Sequence, residues 1–380
     1  MHVFRSLFIG TFCLLFMITA QAQEAAAAGA INDIMKKHQL AGVSVAVVHK
    51  SKIIYSEAFG KRDLSSGEPV EESDLFRIAS ISKSFTATAL MQLAEAGKLS
   101  LDDDFSDLVG FRVRNPKFPE KVITLRMILS HTSSVNDSQG YFNLDVINPE
   151  NNADFSKCYN DYEPGTDYQY CNLNFNMAGA VIERVSGERF DRNINKHILQ
   201  PLKLYGGYNV DELDSSRFVT LYTYDGDSGV FVPSPQAYAS RKEIIDDYKM
   251  GYTTPVFSPT GGMKLSANHL AIYMLMHMNK GKYKNQRIIS RKSAKTMQTP
   301  VAMKEGYGLA LHESTNHLDN IKLMGHTGSA YGLFSAMFFH PKDKYGIVVM
   351  ISGGNPAKGS SMRAPVKEIM QALYDHLIVK

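Results

Sequence analysis

Phe76-Arg77-Ile78-Ala79-Ser80-Ile81-Ser82-Lys83 opens the longest helical pattern in this chain. Ile78, Ile81, Phe85, Ala89, Leu93 and Ala96 recur every three or four residues, and Gly97 supplies a C-terminal stop. On such a helix Ser80 and Lys83 stand on one face, close enough to share a proton. A serine hydroxyl attacks poorly until a base removes its proton, and lysine is a base only when its ammonium is destabilised. From an unperturbed pKa of roughly 10.4, neutrality near pH 7 requires on the order of 4 kcal/mol, which burial against an apolar wall can supply. Ser-x-x-Lys is expected about once by chance in a chain of this composition, so its meaning depends on what surrounds it.

Working outward, Val43 to Val48 and Ile53 to Phe59 are strand-like runs, and His49-Lys50-Ser51-Lys52 is short enough to join them as a hairpin. Ala25 to Leu40 before them has helical spacing. After Ser80, Ile123 to Leu129 reads as a helix capped by Thr124 and ending in His131-Thr132-Ser133-Ser134. Asn136 to Tyr170 is a long irregular stretch of the kind that often carries function. Glu163-Pro164-Gly165-Thr166 marks a tight turn before Tyr170-Cys171-Asn172, which leads into an apolar helix from Phe175 to Val185. Ser266 can cap a helix running to Met278. Tyr307 to His312, Ile321 to Gly325, Leu333 to Phe339 and Ile347 to Ile351 read as strands, with a turn at Pro341-Lys342-Asp343-Lys344. A helix then closes the chain, with Val366, Ile369, Met370, Leu373 and Leu377 on one face.

This order predicts an α/β (α+β) protein whose antiparallel sheet, drawn from both ends of the chain, is flanked by helices. The expected sheet portion is 23–78 plus 255–380, with a mostly helical insertion over 79–254. Ser80 lies near the seam, a common place for a site.

Composition narrows the function. The chain has 380 residues, 44% hydrophobic and 21% charged, which suits a soluble globular protein with a large core. The formal charge is +3, falling by one if Arg5 is removed, and there is no long basic run, so nucleic acid is not an expected partner. Residues 1–22 have a signal-peptide pattern: Arg5, an apolar run from Leu7 to Ile18, then Ala20-Gln21-Ala22 at the cleavage positions. The expectation is an exported, periplasmic or secreted protein, with no membrane span after cleavage. Cys158 and Cys171 remain beyond the leader, either bonded or as separate thiols; a bond would tether the loop that holds Tyr170. His312-Glu313 with His317 misses the zinc-protease spacing, and neither a metal nor a cofactor is expected.

A Ser-Lys hydrolase needs a third group to carry the proton to the leaving atom, and donors for the oxyanion. Of the three Tyr-x-Asn triplets, Tyr141-x-Asn143, Tyr170-x-Asn172 and Tyr283-x-Asn285, only Tyr170 follows a Pro-Gly turn and precedes a strongly apolar helix. The other two read as surface aromatics. His326-Thr327-Gly328-Ser329 falls between two strand-like runs, where Gly328 would let a ligand lie close to the strand.

With these boxes in order, the chain resembles the serine hydrolase family that joins class C β-lactamases, D-alanyl-D-alanine carboxypeptidases, D-aminopeptidases and related esterases. The resemblance runs through Ser80-Ile81-Ser82-Lys83, Thr124 to Ser133, Glu163 to Thr166, Tyr170-Cys171-Asn172, Ile182 to Gly187, Gly261-Gly262 and Gly325 to Gly328. It implies Ser80 as acylated nucleophile, Lys83 as its proton acceptor and Tyr170 as the relay to the leaving group and deacylating water. It also implies that Asn172 bonds Lys83 or a substrate amide, that His326 and Thr327 meet the substrate's polar end, and that the Ser80 and Ser329 amides hold the oxyanion. The implied substrate is a small amide or ester, such as a D-amino-acid peptide from peptidoglycan. The alternatives are a promiscuous esterase, a weak class C-like β-lactamase, or a non-catalytic penicillin- or peptide-binding module. Two departures stand out: His326 replaces the lysine usual in class C enzymes, and Ser134 replaces a glycine common among relatives.

Overall fold

The strands β1 (Gly42–His49) and β2 (Lys52–Gly60) are joined by two residues, Lys50 and Ser51, with φ of 46° and 68°. Two consecutive left-handed residues make the turn whose twist matches that of the flanking strands. The computed structural model describes residues 21–356 and 360–379, so the leader expected over residues 1–22 lies outside the described residues except for its last two. Four strands come from the other end of the chain: β3 (His312–Ser314), β4 (Leu323–Ala330), β5 (Leu333–His340) and β6 (Tyr345–Ser352). The sheet order is β3-β4-β5-β6-β1-β2, antiparallel throughout. β1 pairs with β6 from Gly42↔Ser352 to His49↔Tyr345, which joins the two ends of the chain at mid-sheet.

Helices cover both faces: α1 (residues 21–38), α2 (Ser82–Glu95), α3 (Leu125–Leu129), α4 (Asn172–Ser186), α5 (Ala267–Met278) and α6 (Arg363–Leu377). The period-two alternation of the strands assigns each side its own core. Val43, Val45 and Val47 pack with Ile31 of α1 and Ile369 and Leu373 of α6. Ala46, Val48, Val348 and Met350 face the other way, into a core shared with Leu270 and Met274 of α5 and with α2 and α4. α2 is buried from Ser82 to Met91, so its polar side chains need partners inside the protein. They have them: Thr86 Oγ1 donates to Pro259 O at 2.9 Å, and Ser82 Oγ accepts from Met263 N at 3.1 Å.

The expected caps are in place, with Thr124 accepting from Met127 N and Ser266 from His269 N. One local expectation needs correction, and one open alternative is decided. Tyr307 to Leu311 is not a strand, and β3 begins only at His312: isolated bridges join Tyr307 to Ala302 and to His312, and Ala310 turns the backbone at φ 58°. Its apolar residues are buried in a loop that closes under β3, an outcome that hydrophobicity alone does not separate from a strand. Cys158 and Cys171 are both free and buried, and their thiols donate to different acceptors, Val146 O and Asp137 Oδ1, each at 3.2 Å.

The sheet meets the Ser80 segment at Gly328. A Cβ there would lie 2.3 Å from Ile78 O and 2.4 Å from Ser335 Oγ. The space that glycine leaves on β4 is therefore filled by the turn preceding Ser80 and not left for a ligand. Ser335 Oγ donates to Ile78 O at 3.1 Å and pins the same turn from β5. Gly328→Ala is expected to destabilise the fold by about 1–3 kcal/mol, read from urea unfolding, because backbone rather than a flexible side chain must move. An unchanged midpoint would show that the turn can retreat freely.

Candidate active site

Ser80 sits in a single 3-10 turn, Ala79–Ile81, immediately before α2. Ala79 has φ 47°, a left-handed conformation that costs an L residue about 1–2 kcal/mol. The contacts at Gly328 and Ser335 hold it there, and the turn delivers Ser80 to the wall of a cavity of about 730 Å³. Tyr170, Asn172, His326, Thr327 and Ser329 line the same cavity. Two expected site residues, Gly328 and Lys83, stand behind this wall.

Lys83 is the second residue of α2 and is completely buried. Its Nζ is 3.1 Å from Ser80 Oγ, 2.9 Å from Asn172 Oδ1 and 3.0 Å from Thr260 O. The rings of Tyr170 and Phe175 are 4.7 Å and 5.7 Å away. Burial lowers its pKa to about 7, and the nearby Asp137 carboxylate limits the fall. The net shift corresponds to on the order of 5 kcal/mol, and lost solvation of the ammonium is its leading cause.

The orientation of Asn172 follows from a residue that the sequence reading did not identify. Asp137 Oδ2 accepts from both Asn172 N and Asn172 Nδ2 at 2.9 Å, while Oδ1 accepts from Leu173 N at 2.9 Å. A carboxylate has no proton to offer, so the amide nitrogen of Asn172 must face Asp137 and its oxygen must face Lys83. Asp137 thus caps α4 from 35 residues away and aims Asn172. Thr260 Oγ1 donates to the same Asn172 oxygen at 2.9 Å. These residues lack a local signal, although Asp137 closely follows the His131-Thr132-Ser133-Ser134 run and Thr260 precedes Gly261-Gly262.

Tyr170 stands on a floor of aromatic side chains. His131, at φ 60°, accepts from Cys171 N through Nδ1 at 3.1 Å, and its ring lies 4.3 Å from that of Tyr170. Burial raises the Tyr170 pKa well above its ordinary value, and a hydrogen bond with Ser80 only partly offsets this. The phenol therefore stays protonated where Lys83 is already losing its proton.

The third box is neutral. His326 Nδ1 lies 2.5 Å from Thr327 O, which can only accept, so Nδ1 carries the proton. Nε2 then accepts from the Tyr307 hydroxyl at 3.0 Å. Burial holds the imidazole well below its usual pKa, and both ring nitrogens are engaged within the protein. Fixed charge around the cavity comes from Arg77, Arg363 and Glu305. Tyr141, expected on the surface, is half-buried and lines the cavity, which corrects its reading as an ordinary surface aromatic. Ser134 adopts φ 63°, the conformation that the relatives' glycine would suit, and its Oγ accepts from Asn115 Nδ2 at 3.0 Å.

Among the described residues no cluster of His, Cys, Asp and Glu is gathered closely enough to hold a metal ion. No helix among them is long and apolar enough to cross a membrane.

Residues 27–369 match the Beta-lactamase family model, and the chain belongs to that family. It is 24% identical over 335 residues to Protein flp of Staphylococcus aureus, covering 84% of this chain and 61% of that protein. It is 28% identical over 252 residues to Esterase EstB of Burkholderia gladioli, covering 59% of this chain and 62% of the esterase. The chain thus spans about three fifths of the length of these curated relatives. Among solved structures, the octameric penicillin-binding protein homologue from Pyrococcus abyssi superposes with a TM-score of 0.70 at 26% identity, over 92% of this chain and 76% of that one.

Asp137→Asn tests the aiming of Asn172. Removing the carboxylate charge lowers the Lys83 pKa further, so any activity that needs neutral Lys83 should keep its acid limb at lower pH than in the wild type. A pH profile that falls in amplitude without moving would mean that Asp137 acts only as a helix cap.

Proposed function

We propose that this β-lactamase-family chain is a serine hydrolase that cleaves a small amide or ester through an acyl-enzyme on Ser80. The observation that carries the reading is the hydrogen-bond geometry of Lys83. A neutral amine has two protons and one lone pair. Asn172 Oδ1 and Thr260 O can only accept, so they take the two protons, and the lone pair is left for the hydroxyl of Ser80 at 3.1 Å. Lys83 is then the general base, as its pKa of about 7 permits.

In acylation the Ser80 proton passes to Lys83 Nζ while Oγ bonds to the substrate carbonyl carbon. The oxyanion that forms is met by the backbone N–H groups of Ser80 and Ser329. As the bond to the leaving atom breaks, the Tyr170 phenol donates its proton to that atom and is reprotonated from Lys83. Deacylation reverses the roles: a water at the leaving-group position gives up its proton through Tyr170 toward Lys83 and attacks the ester. The raised pKa of Tyr170 suits a donor and argues against a resting phenolate base.

A D-amino-acid peptide is the proposed substrate class, with Thr327 and Ser329 meeting its polar end. The neutral His326 favours a second reading, an esterase with little demand for a substrate carboxylate, in line with the likeness to EstB. The same neutrality weakens the case for efficient β-lactam hydrolysis, because no ammonium stands at this position to hold the lactam's carboxylate. We also infer export, on the leader pattern of residues 1–22.

Turnover of p-nitrophenyl acetate and of a D-alanyl amide by the wild type and by Ser80→Ala tests the reading. The variant is expected to lose about 10⁴-fold or more in kcat. For the wild type, kcat/KM should rise with pH through about 7 and then level off, because the base must be deprotonated and Tyr170 does not titrate below it. Equal turnover by the two proteins would overturn the assignment of the nucleophile. A rate that falls as pH rises through 7 would overturn the assignment of the base.

A further inference from the structure

A second cavity, of about 790 Å³, opens directly beyond the catalytic one, and Phe142 and Tyr331 belong to the walls of both. We propose that the two cavities form one acyl channel, and that the acyl arm of the substrate is an apolar chain long enough to pass Phe142 and enter the second cavity. The proposal rests on the serine hydrolase reading above and narrows its substrate class, placing any D-amino acid on the leaving side and an extended apolar group on the acyl side.

The direction of the channel follows from the proton path. Tyr170 hands its proton to the leaving atom, so the leaving group occupies the end where Tyr170, Tyr307 and His326 cluster, with ring centroids 6.2 Å apart for Tyr170 and His326. The acyl arm takes the other end. There the Arg77 guanidinium lies over the Tyr331 ring at 4.9 Å, and the Tyr141 and Phe142 rings are 4.4 Å apart. Tyr331 is held in place by its position in the β4–β5 turn, where it and Gly332 have φ of 56° and 83°.

The chemistry of the arm follows from the walls of the second cavity. Phe142, Ile244, Tyr252, Pro255 and Val256 supply its apolar wall, and Arg241, Asp247 and Lys249 are among the polar residues that also line it. Of its two acids, Asp145 is already engaged: it accepts from Asn151 Nδ2 at 2.6 Å, from Asn143 Nδ2 at 3.1 Å and from the Tyr252 hydroxyl. Phe142 is 56% exposed and Ile244 45%, so two large apolar side chains remain substantially open to water. Exposed apolar groups that gather on a cavity wall, rather than scatter, mark a surface that is covered in use. Each cavity alone is of the size that holds a drug-sized ligand, and the catalytic one already exceeds the needs of a single amino-acid amide. An acyl donor with a free amino-terminal residue would leave the second cavity empty, whereas a medium-chain or similarly extended acyl group fills it.

Calorimetric binding of acetamide, hexanamide and octanamide to the full-length Ser80→Ala protein tests the channel without depending on turnover. Octanamide is expected to bind at least tenfold more tightly than acetamide, consistent with removing several methylenes from water. Ile244→Asp, an exposed substitution with little leverage on folding, should remove most of that advantage and leave acetamide binding within twofold. Val256→Trp, which fills the cavity, should do the same by obstruction. A binding series flat from acetamide to octanamide, or a chain-length advantage that survives both substitutions, would overturn the proposal. p-Nitrophenyl esters from acetyl to octanoyl, turned over by Ser80-intact enzyme, should follow the same order in kcat/KM. If acetyl ester hydrolysis depends on Ser80 while the chain-length series is flat, the hydrolase reading stands and the channel fails.

Discussion

A lysine amine completely buried beside a serine hydroxyl is the constraint on which the rest of this structure depends. Removing an ammonium from water without a touching carboxylate is expensive, and the protein meets that cost by letting the group lose its charge. For the neutral amine to be useful its lone pair must point at Ser80, and two acceptors that cannot donate bring this about. One acceptor, Thr260 O, comes from the loop before Gly261-Gly262; the other, Asn172 Oδ1, comes from the first residue of α4. Three segments far apart in the chain are therefore needed before Ser80 and Lys83 form a pair.

Asp137 extends the same logic outward. Its carboxylate satisfies the free N–H groups at the start of α4 and, in doing so, decides which way the Asn172 amide faces. It also stands near enough to Lys83 to keep the amine from falling further in pKa. One side chain thus caps a helix, orients an acceptor of the Lys83 amine and tunes that amine. The sheet contributes from the opposite side. Gly328 lets the 3-10 turn approach β4 until backbone meets backbone, and Ser335 anchors Ile78. Ser80 is held between a helix whose polar groups are all partnered and a strand with no side chain at the point of contact.

The neutral third box changes the electrostatics of the cavity more than its shape. His326 keeps its place on the cavity wall, but its nitrogens are committed to Thr327 O and Tyr307, so it offers a substrate an aromatic edge and not a charge. Apolar surface lies at the far end of the cleft, around Phe142 and Tyr331, beside the fixed charge of Arg77. The aromatic residues between Tyr141 and Tyr170 therefore serve two ends of one cleft, since Tyr168 and Tyr170 stand at one end and Tyr141 and Phe142 at the other.

Much of this was legible in the amino-acid sequence, because it rests on local periodicity and local caps. The alternation in Val43 to Val48, the heptad-like spacing after Ile78, and the capping residues Thr124 and Ser266 each report on neighbours within a few residues, where backbone geometry dictates the pattern. The order of the three boxes identified Ser80, Lys83 and Tyr170 as candidates for the same reason: each lies at the start of an element whose boundary is marked nearby. Tertiary structure alone decided what the candidates touch. The loop at Tyr307 to Leu311 looks like a strand because burial, and not pairing, made it apolar. Cys158 and Cys171 have separate acceptors, a fact of distance that spacing cannot report. Asp137 and Thr260 carry no local signature, since a carboxylate reaching a helix 35 residues away and a loop carbonyl facing a buried amine exist only after the chain has folded. The pKa of Lys83 belongs to the same class: it is a property of what surrounds the amine, and those surroundings are assembled from α2, α4 and the segment before α5.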